Sequence, residues 1–307
     1  MRPAWSVILL TTLIGTAQGL FLAAFAVDLM KQTAAKSLVV TSCALSLLLL
    51  AAGLLASFFH LGRPERAWRT ASQWRTSWLS REVIVLPAFM GMVFLYGVLQ
   101  VLEVERKLVM SAGLAGVALC IALFVCTGMI YACLKFLQEW HTALTPLNYL
   151  LLGTASGFTL AVPVAVLTLP QFAGVLALAA FSIGAAAYLM RCASLVRNAR
   201  LRPKSTPATA IGIDHPHIVQ KAQGFMGGSF NTREFFHGRP ERVVRAARWA
   251  FLILAFPVPA WLLGWGGGSL QAGVAAFAIQ FAGLLAERWY FFAEARHPQN
   301  LYYQSMA

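Results

Sequence analysis

Residues 37–59 read SLVVTSCALSLLLLAAGLLASFF, 23 consecutive positions without a charge. About 20 predominantly apolar residues are enough to carry an α-helix across the hydrocarbon of a bilayer. This segment is therefore read as a membrane span, and the rest of the chain follows from it. Runs of the same kind occupy 5–27, 82–102, 108–134, 147–169, 171–190, 248–265 and 270–286. The expectation is an all-α polytopic membrane protein, an eight-transmembrane-helix bundle. Of the 307 residues, 59% are apolar and 11% charged, against roughly 45–50% and 25% in a soluble domain, which excludes an ordinary cytosolic enzyme. A single integral membrane domain over 1–307 is expected, with an extended interfacial loop at 191–247.

The seventh run contains Pro257 and Pro259, which remove backbone donors, and ends in GWGGGS, a spacing that fits a tight hairpin to the eighth. Trp5, Trp78, Trp140, Trp249 and Trp289 fall near run ends, where an aromatic belt belongs. The first run has no clear cleavage site and is read as a retained helix. Eight spans put both termini on one face, with the loops after spans two, four and six. That face carries 20 of the 24 Lys and Arg; Lys31, Lys36, Arg106 and Lys107 lie on the other. Under the positive-inside rule the termini and these loops are cytoplasmic. The net charge of +13 is thereby explained by loop placement, and no nucleic-acid partner is expected. Within 191–247, a basic linker is followed by HPHIVQKAQGFMGGSFNTREFFHGRPERVVR, whose phenylalanines suit docking on a protein or on membrane lipid. Cys43, Cys120, Cys126, Cys133 and Cys192 contain no CxxC pair and lie mostly in apolar runs, so they are read as packing residues, with no metal site.

All six histidines, His60, His141, His215, His217, His237 and His297, fall in loops or at run ends. A haem b inside the bundle needs ligands facing one another from within helices, so no haem is expected. Electron transfer would then rest on partners and on a bound membrane quinone. Residues 57–87, SFFHLGRPERAWRTASQWRTSWLSREVIVLP, put His60 at the end of one span and Glu82 at the start of the next, on one face. A histidine of near-neutral pKa and a partly buried carboxylate can bond quinone carbonyls and carry protons. Each also has a plainer reading, His60 as a polar helix end and Glu82 as a first-turn carboxylate favoured by the helix dipole. The arginines of this loop can be positive-inside anchors.

FHLGRPERAW followed by SWLSREV resembles the signature of the dimethyl sulfoxide reductase membrane-anchor family, and residues 129–153 and 224–238 resemble further stretches of it. The resemblance implies a haem-free anchor subunit that holds an iron–sulfur electron-transfer subunit and a molybdopterin catalytic subunit on the bacterial inner membrane. It exchanges electrons with ubiquinone or menaquinone, and the molybdenum and iron–sulfur centres belong only to the partners. The quinone-binding residues it implies are His60, Gly62, Arg66 and Glu82, with no catalytic residue in this chain. Partner docking falls on Arg63, Arg69, Arg75, Trp140, Phe235, Phe236, His237 and Arg239. The sequence departs from the family pattern at Arg63 and in the adjacency of Glu287 and Arg288. FFHLGRPER (58–66) is echoed by FFHGRPER (235–242), either as a repeat of two halves or by coincidence.

With the His60 face in the cytoplasm, the resemblance points to the sulfite dehydrogenase (quinone) branch, whose anchors are similar to this N-terminus. The alternative is the anchor of a quinol-oxidising sulfoxide or other terminal reductase. A secondary transporter is the alternative of another class, with Gln18, Gln100 and Gln280 lining a path; interhelical hydrogen bonding is the commoner use of such residues. A reporter active only in the cytoplasm is expected to work when fused after Ala307, and a periplasm-dependent reporter to fail there. The reverse pattern would remove the reason for preferring the sulfite branch.

Overall fold

The computed structural model describes residues 1–31, 35–59, 61–202, 204–219, 221, 234–266 and 269–302. Eight helical spans are present, long and apolar enough to cross a membrane, and no strand occurs among the described residues. They are built from α1 (Trp5–Lys31), α2 (Lys36–Phe58), α3 (Trp78–Val101), α4 (Arg106–Ala132), α5 (Leu144–Thr168) and α6 (Ala173–Ala199), then, after the five-residue α7 (Pro207–Ile211), the pair α8 (Glu241–Leu254) and α9 (Pro257–Trp265), and finally α10 (Leu270–Glu294). A 3₁₀ segment, Pro64–Gln73, fills the connection between α2 and α3.

Several helices outrun the apolar stretches that announced them. α3 begins at Trp78 and not at 82, α6 continues from 190 to Ala199, the seventh span starts at Glu241 and not at 248, and α10 continues from 286 to Glu294. The apolar run stops at its first charge, but a helix does not have to. Arg191, Glu287 and Arg288 are buried inside the bundle, so the expected loop start at Arg191 is corrected to the residues after Ala199.

The seventh span breaks where its prolines remove backbone donors. Pro259 cannot donate to the Ala255 carbonyl, and Gln280 Nε2 of α10 does so instead at 3.2 Å. The other two intramembrane glutamines also bridge helices: Gln18 Nε2 donates to Cys120 O at 2.8 Å and Gln100 Nε2 to Asp28 Oδ2 at 2.8 Å. Such bonds are worth about 0.6 kcal/mol each on average, enough to fix helix rotation without supplying the fold's stability. Asp28 is fully buried one turn before the end of α1. Tyr96 Oη donates to it, Arg106 Nη1 lies 2.7 Å away, and Arg106 Nη2 donates to its carbonyl at 2.8 Å.

α1 runs through the centre, packed on α2 and α5, and most of its length is buried. Lipid tails are as apolar as leucine, so close van der Waals packing must hold these helices together. Small residues make it possible at the α1–α5 crossing. A Cβ added at Gly157 would lie 2.1 Å from the Gly19 carbonyl carbon, and one at Gly19 would lie 2.3 Å from the Gly153 oxygen. Beside this contact Thr16 Oγ1 and Ser156 Oγ share a hydrogen bond at 3.0 Å. Towards the Asp28 end, Phe21 meets Phe89 and Tyr96 edge-on at 5.4 and 5.8 Å, within a cluster of buried apolar side chains. Gly157→Leu is expected to prevent the α1–α5 approach and abolish accumulation of folded protein in the membrane, whereas Gly174→Leu, with open space at its Cβ, leaves the level unchanged; quantitative membrane immunoblotting checks both.

Candidate functional site

Glu82 lies four residues into α3, about 6 Å along the axis at roughly 1.5 Å per residue, and it is buried. Its Oε1 accepts a hydrogen bond from Thr127 Oγ1 of α4 at 2.5 Å. The carboxyl forms part of the wall of a cavity of about 30 Å³ enclosed by α1, α3, α4, α5 and α10. Leu10, Ile14, Phe124, Leu152 and Leu284 make its apolar side; Thr11, Thr12, Gln18, Thr127, Tyr149, Ser156 and Arg288 make its polar side. The α1 threonines spend their hydroxyls on their own helix, on Val7 O and Ile8 O. The Arg288 guanidinium and the Tyr149 hydroxyl, both buried, interact with each other, and Tyr131 stands beside the Tyr149 hydroxyl. The guanidinium also rests on the Tyr149 ring, 4.0 Å from its centroid. The cavity thus offers one carboxyl, one cation and one phenol, set in an apolar wall.

Arg288 can be charged here because of its neighbour. Its Nε donates to Glu287 Oε2 at 2.5 Å, and Arg191 Nε of α6 lies 2.7 Å from Glu287 Oε1. Glu294 stands 4.0 Å from Arg191 Nη2. Two carboxylates and two guanidiniums form a neutral group, the arrangement under which charges are tolerated inside a span. The Arg191 guanidinium also lies over Phe251 and Tyr290 at 5.4 and 5.8 Å. A second cavity, about 10 Å³, runs beside this group between α5, α6, α10 and the α4–α5 connection. Tyr149 and Arg288 line both cavities.

A larger cleft of about 230 Å³ lies between α6 and α9, lined by Phe181, Gly184, Tyr188, Phe256, Pro259 and Gln280 among others, with no charged residue. Among the described residues no group of three or more His, Cys, Asp or Glu is placed to hold a metal ion.

Of the four residues expected to bind quinone, Glu82 lines the first cavity and His60 lies outside the described residues. Gly62 and Arg66 are exposed on the α2–α3 connection and contribute nothing to the cavity wall; Arg66 Nε sits 3.9 Å from Glu65 Oε1. The expected docking arginines Arg63, Arg69, Arg75 and Arg239 are all exposed. Arg69 and Arg75 lie over Trp68 and Trp74, which are themselves exposed. Trp140 is turned inward instead: it is buried, donates from Nε1 to Phe291 O at 3.0 Å and stacks on the Phe291 ring. Its aromatic partners, Tyr131 of α4 and Phe291 and Phe292 of α10, hold it inside the bundle. Phe235 stacks on His297 at 3.6 Å, and Phe236 and His237 are half-buried. Burial first, then the nearby amino terminus and Arg239, hold the His237 imidazole below its ordinary range. The two FFH copies thus differ in setting: Phe59 is 82% exposed, while the second copy packs against the C-terminal segment.

Sequence reading missed Arg288, Tyr149, Thr127 and Arg191. The only available signal was a run of ionisable residues, Glu287 and Arg288, in a continuing apolar and aromatic pattern that ends at Glu294.

Eight spanning helices, with a small cavity walled in part by Glu82, Tyr149 and Arg288, define a multi-pass membrane protein. The family model of the dimethyl sulfoxide reductase anchor subunit matches residues 1–218. The chain is 52% identical to a sulfite dehydrogenase subunit of Allochromatium vinosum, over the full length of both. The chain belongs to the dimethyl sulfoxide reductase anchor subunit family, and it is a membrane anchor subunit of a molybdoenzyme complex. Membership implies catalytic and electron-transfer partner subunits and sets aside the transporter reading.

Removing one member of a buried ionic group leaves the others uncompensated, at about 3–5 kcal/mol. Glu287→Gln is therefore expected to lower the thermal midpoint of the detergent-solubilised complex markedly. Arg245→Ala, which breaks an exposed i,i+4 pair with Glu241, is expected to leave that midpoint nearly unchanged.

Proposed function

We propose that this anchor passes electrons between its iron–sulfur partner and the membrane quinone pool, and that the complex it anchors is a sulfite:quinone oxidoreductase with its catalytic subunits in the cytoplasm. The observation that carries the reading is Glu82: a buried carboxyl near the end of a span, in a cavity it shares with the Arg288 guanidinium and the Tyr149 phenol. This donor set fits a quinone head group, whose carbonyl oxygens need hydrogen-bond donors and whose reduction needs a proton carrier. The space of about 30 Å³ holds about two waters, so lining side chains give way to admit a ring. When bound, the quinone supplies a two-electron, two-proton acceptor.

The chain's own residues then have distinct tasks. Arg288 Nη1 and Tyr149 Oη donate to a carbonyl oxygen, Thr127 holds the Glu82 carboxyl, and Glu82 transfers a proton. Leu10, Ile14, Phe124 and Leu284 keep bulk water from the ring. His60, Gly62 and Arg66 are assigned to quinone binding by the family resemblance. Exposed Arg63, Arg69 and Arg75, interleaved with Trp68 and Trp74, suit docking of the iron–sulfur subunit on the same face, which shortens the path for electrons. Phe235, Phe236, His237 and Arg239 extend that docking face.

Sulfite as the electron source rests on the full-length similarity to a sulfite dehydrogenase subunit. Orientation rests on charge. Arg191 and Arg288 are buried partners of Glu287 and drop out of the loop count, which leaves 18 Lys and Arg on the His60 face against four on the other. The reading places the chain in the bacterial inner membrane with its termini and the His60 loop in the cytoplasm. The family name favours a second reading, electron flow from quinol to a sulfoxide or other terminal reductase through the same site.

In the purified complex, His60→Ala and Glu82→Gln are each expected to leave sulfite-driven reduction of an artificial acceptor intact while turnover with quinone falls by about 10²-fold or more. Full quinone turnover in both variants would overturn the site assignment, and an absence of sulfite-driven reduction in the unaltered complex would overturn the substrate.

A further inference from the structure

The cleft between α6 and α9 encloses about 230 Å³, and an apolar cavity of about 150 Å³ already takes up benzene. Its floor is buried and is made by Thr159 of α5, Ala255, Phe256, Pro259 and Leu263 of the seventh span, and Gln280 of α10. Its rim, Phe181, Ala185 and Tyr188 of α6 with Pro257 of α9, is exposed. Phe181 and Tyr188 stand 8 and 15 residues after Ala173, where α6 begins, about 12 and 22 Å along the axis at 1.5 Å per residue. The rim therefore faces the hydrocarbon of the bilayer and neither of its surfaces. With no charged residue in its wall, the cleft suits a neutral molecule dissolved in the membrane.

The polar atoms inside it select one kind of ligand group. Gln280 is 5% exposed, and its Nε2 donates to the Ala255 carbonyl at 3.2 Å. That bond fixes the amide, because the carbonyl that Pro259 cannot reach accepts only from the nitrogen, and Oε1 is left buried without a partner. Thr159 Oγ1 donates to Ala155 O at 2.9 Å and keeps lone pairs with which to accept. The Tyr188 hydroxyl pairs with Cys192 of its own helix. A buried acceptor without a donor is costly, so the ligand that fits brings a hydroxyl to Gln280 Oε1. A phospholipid tail carries no donor, and the hydroxyls of its headgroup stay at the bilayer surface. A quinol carries two hydroxyls on a flat ring and dissolves in the hydrocarbon. The quinone of the same ring has acceptors alone and sets a carbonyl oxygen against Gln280 Oε1. Tyr188 and Phe256, edge to face at 5.1 Å, and Phe181 supply aromatic walls for such a ring.

We infer that this cleft is a second ring site of the anchor, selective for the reduced form: one quinol hydroxyl donates to Gln280 Oε1, and the Thr159 hydroxyl accepts from the same ring. It is a binding site and not a reaction site, since no carboxylate, histidine, lysine or arginine lines it to carry a proton. It shares no lining residue with the Glu82 cavity. A quinol held here stays at the anchor without occupying the place where the next quinone reacts. The inference rests on the proposed function only in that the pool this anchor meets contains quinol; it does not depend on Glu82.

The test uses the whole purified complex in lipid nanodiscs without oxygen, and a hydroquinone carrying a diazirine on a short tail, kept reduced in one sample and oxidised to the quinone in another. After illumination and peptide mapping, the reduced probe is expected to label α6 between Phe181 and Tyr188 and α9 between Pro257 and Leu263, and excess tetramethylhydroquinone is expected to displace it. The oxidised probe is expected to label these peptides at least about tenfold less, because a site that bonds a hydroxyl rejects the analogue lacking it. Gly184→Leu, whose added side chain meets open space in the cleft, is expected to remove the label while the complex accumulates normally. Gln280→Leu is expected to make the two forms label alike. Equal labelling by both forms in the unaltered complex overturns the proposal, as does label that Gly184→Leu leaves in place. Label that tetramethylhydroquinone does not displace marks a crevice occupied by lipid and overturns it as well. Cleft label that persists in a Glu82→Gln complex with undiminished quinone turnover overturns the reaction-site assignment and leaves the quinol site standing, so the two failures are told apart.

Discussion

A carboxylate held between two guanidiniums inside an apolar bundle is the constraint on which the rest of this structure turns. Glu287, Arg191 or Arg288 alone at that depth would be an uncompensated charge in an apolar interior. Together with Glu294 they cancel, and three elements are fixed by their meeting: α6 through Arg191, α10 through the two glutamates and Arg288, and α5 through the Tyr149 ring on which Arg288 lies. The ionic group does not primarily stabilise the fold, since a well-packed apolar replacement would often do as well. What it provides is a permanently charged donor, Arg288, facing the cavity that contains Glu82.

The bundle divides along its length. Towards the Asp28 end, α1 is surrounded mainly by phenylalanine and leucine, and the buried Asp28 carboxylate is matched by Tyr96, Gln100 and Arg106. Towards the other end, charged and polar side chains gather and small cavities appear. The close α1–α5 contact at Gly19, Gly153 and Gly157 lies between these regions, and the threonine and serine beside it satisfy each other. On the proposed reading, the end rich in charged and polar groups is where electrons and protons are exchanged, and the apolar end limits leakage across the membrane.

Much of the fold was legible in the sequence because a spanning helix has a length requirement that few other structures share. The eight runs followed from bilayer thickness, and the bonding role of Gln18, Gln100 and Gln280 from the commoner use of such residues. Helix ends did not follow, since charges that finish an apolar run continue a helix when they find partners, as Arg191 and Glu287 do across 96 positions of chain. The site was legible only in part. Glu82 stood out by its place beside the basic α2–α3 connection, but Tyr149, Thr127 and Arg288 come from three other helices and carry no local mark of their convergence. Trp140 read as a belt residue because its position is interfacial; its partner carbonyl, Phe291 O, lies 151 residues away.

The central claim, that quinone chemistry takes place in the cavity walled by Glu82, Tyr149 and Arg288, is tested most directly by where a photoreactive quinone analogue attaches. After illumination of the purified complex and peptide mapping, label is expected on α1 between Leu10 and Gln18, on α4 between Phe124 and Thr127 and on α5 between Tyr149 and Ser156, and it is expected to be displaced by excess quinone. Displaceable label confined to the uncharged cleft, at Phe181 to Tyr188 and Phe256 to Leu263, would contradict the claim and move the quinone to the other side of α5.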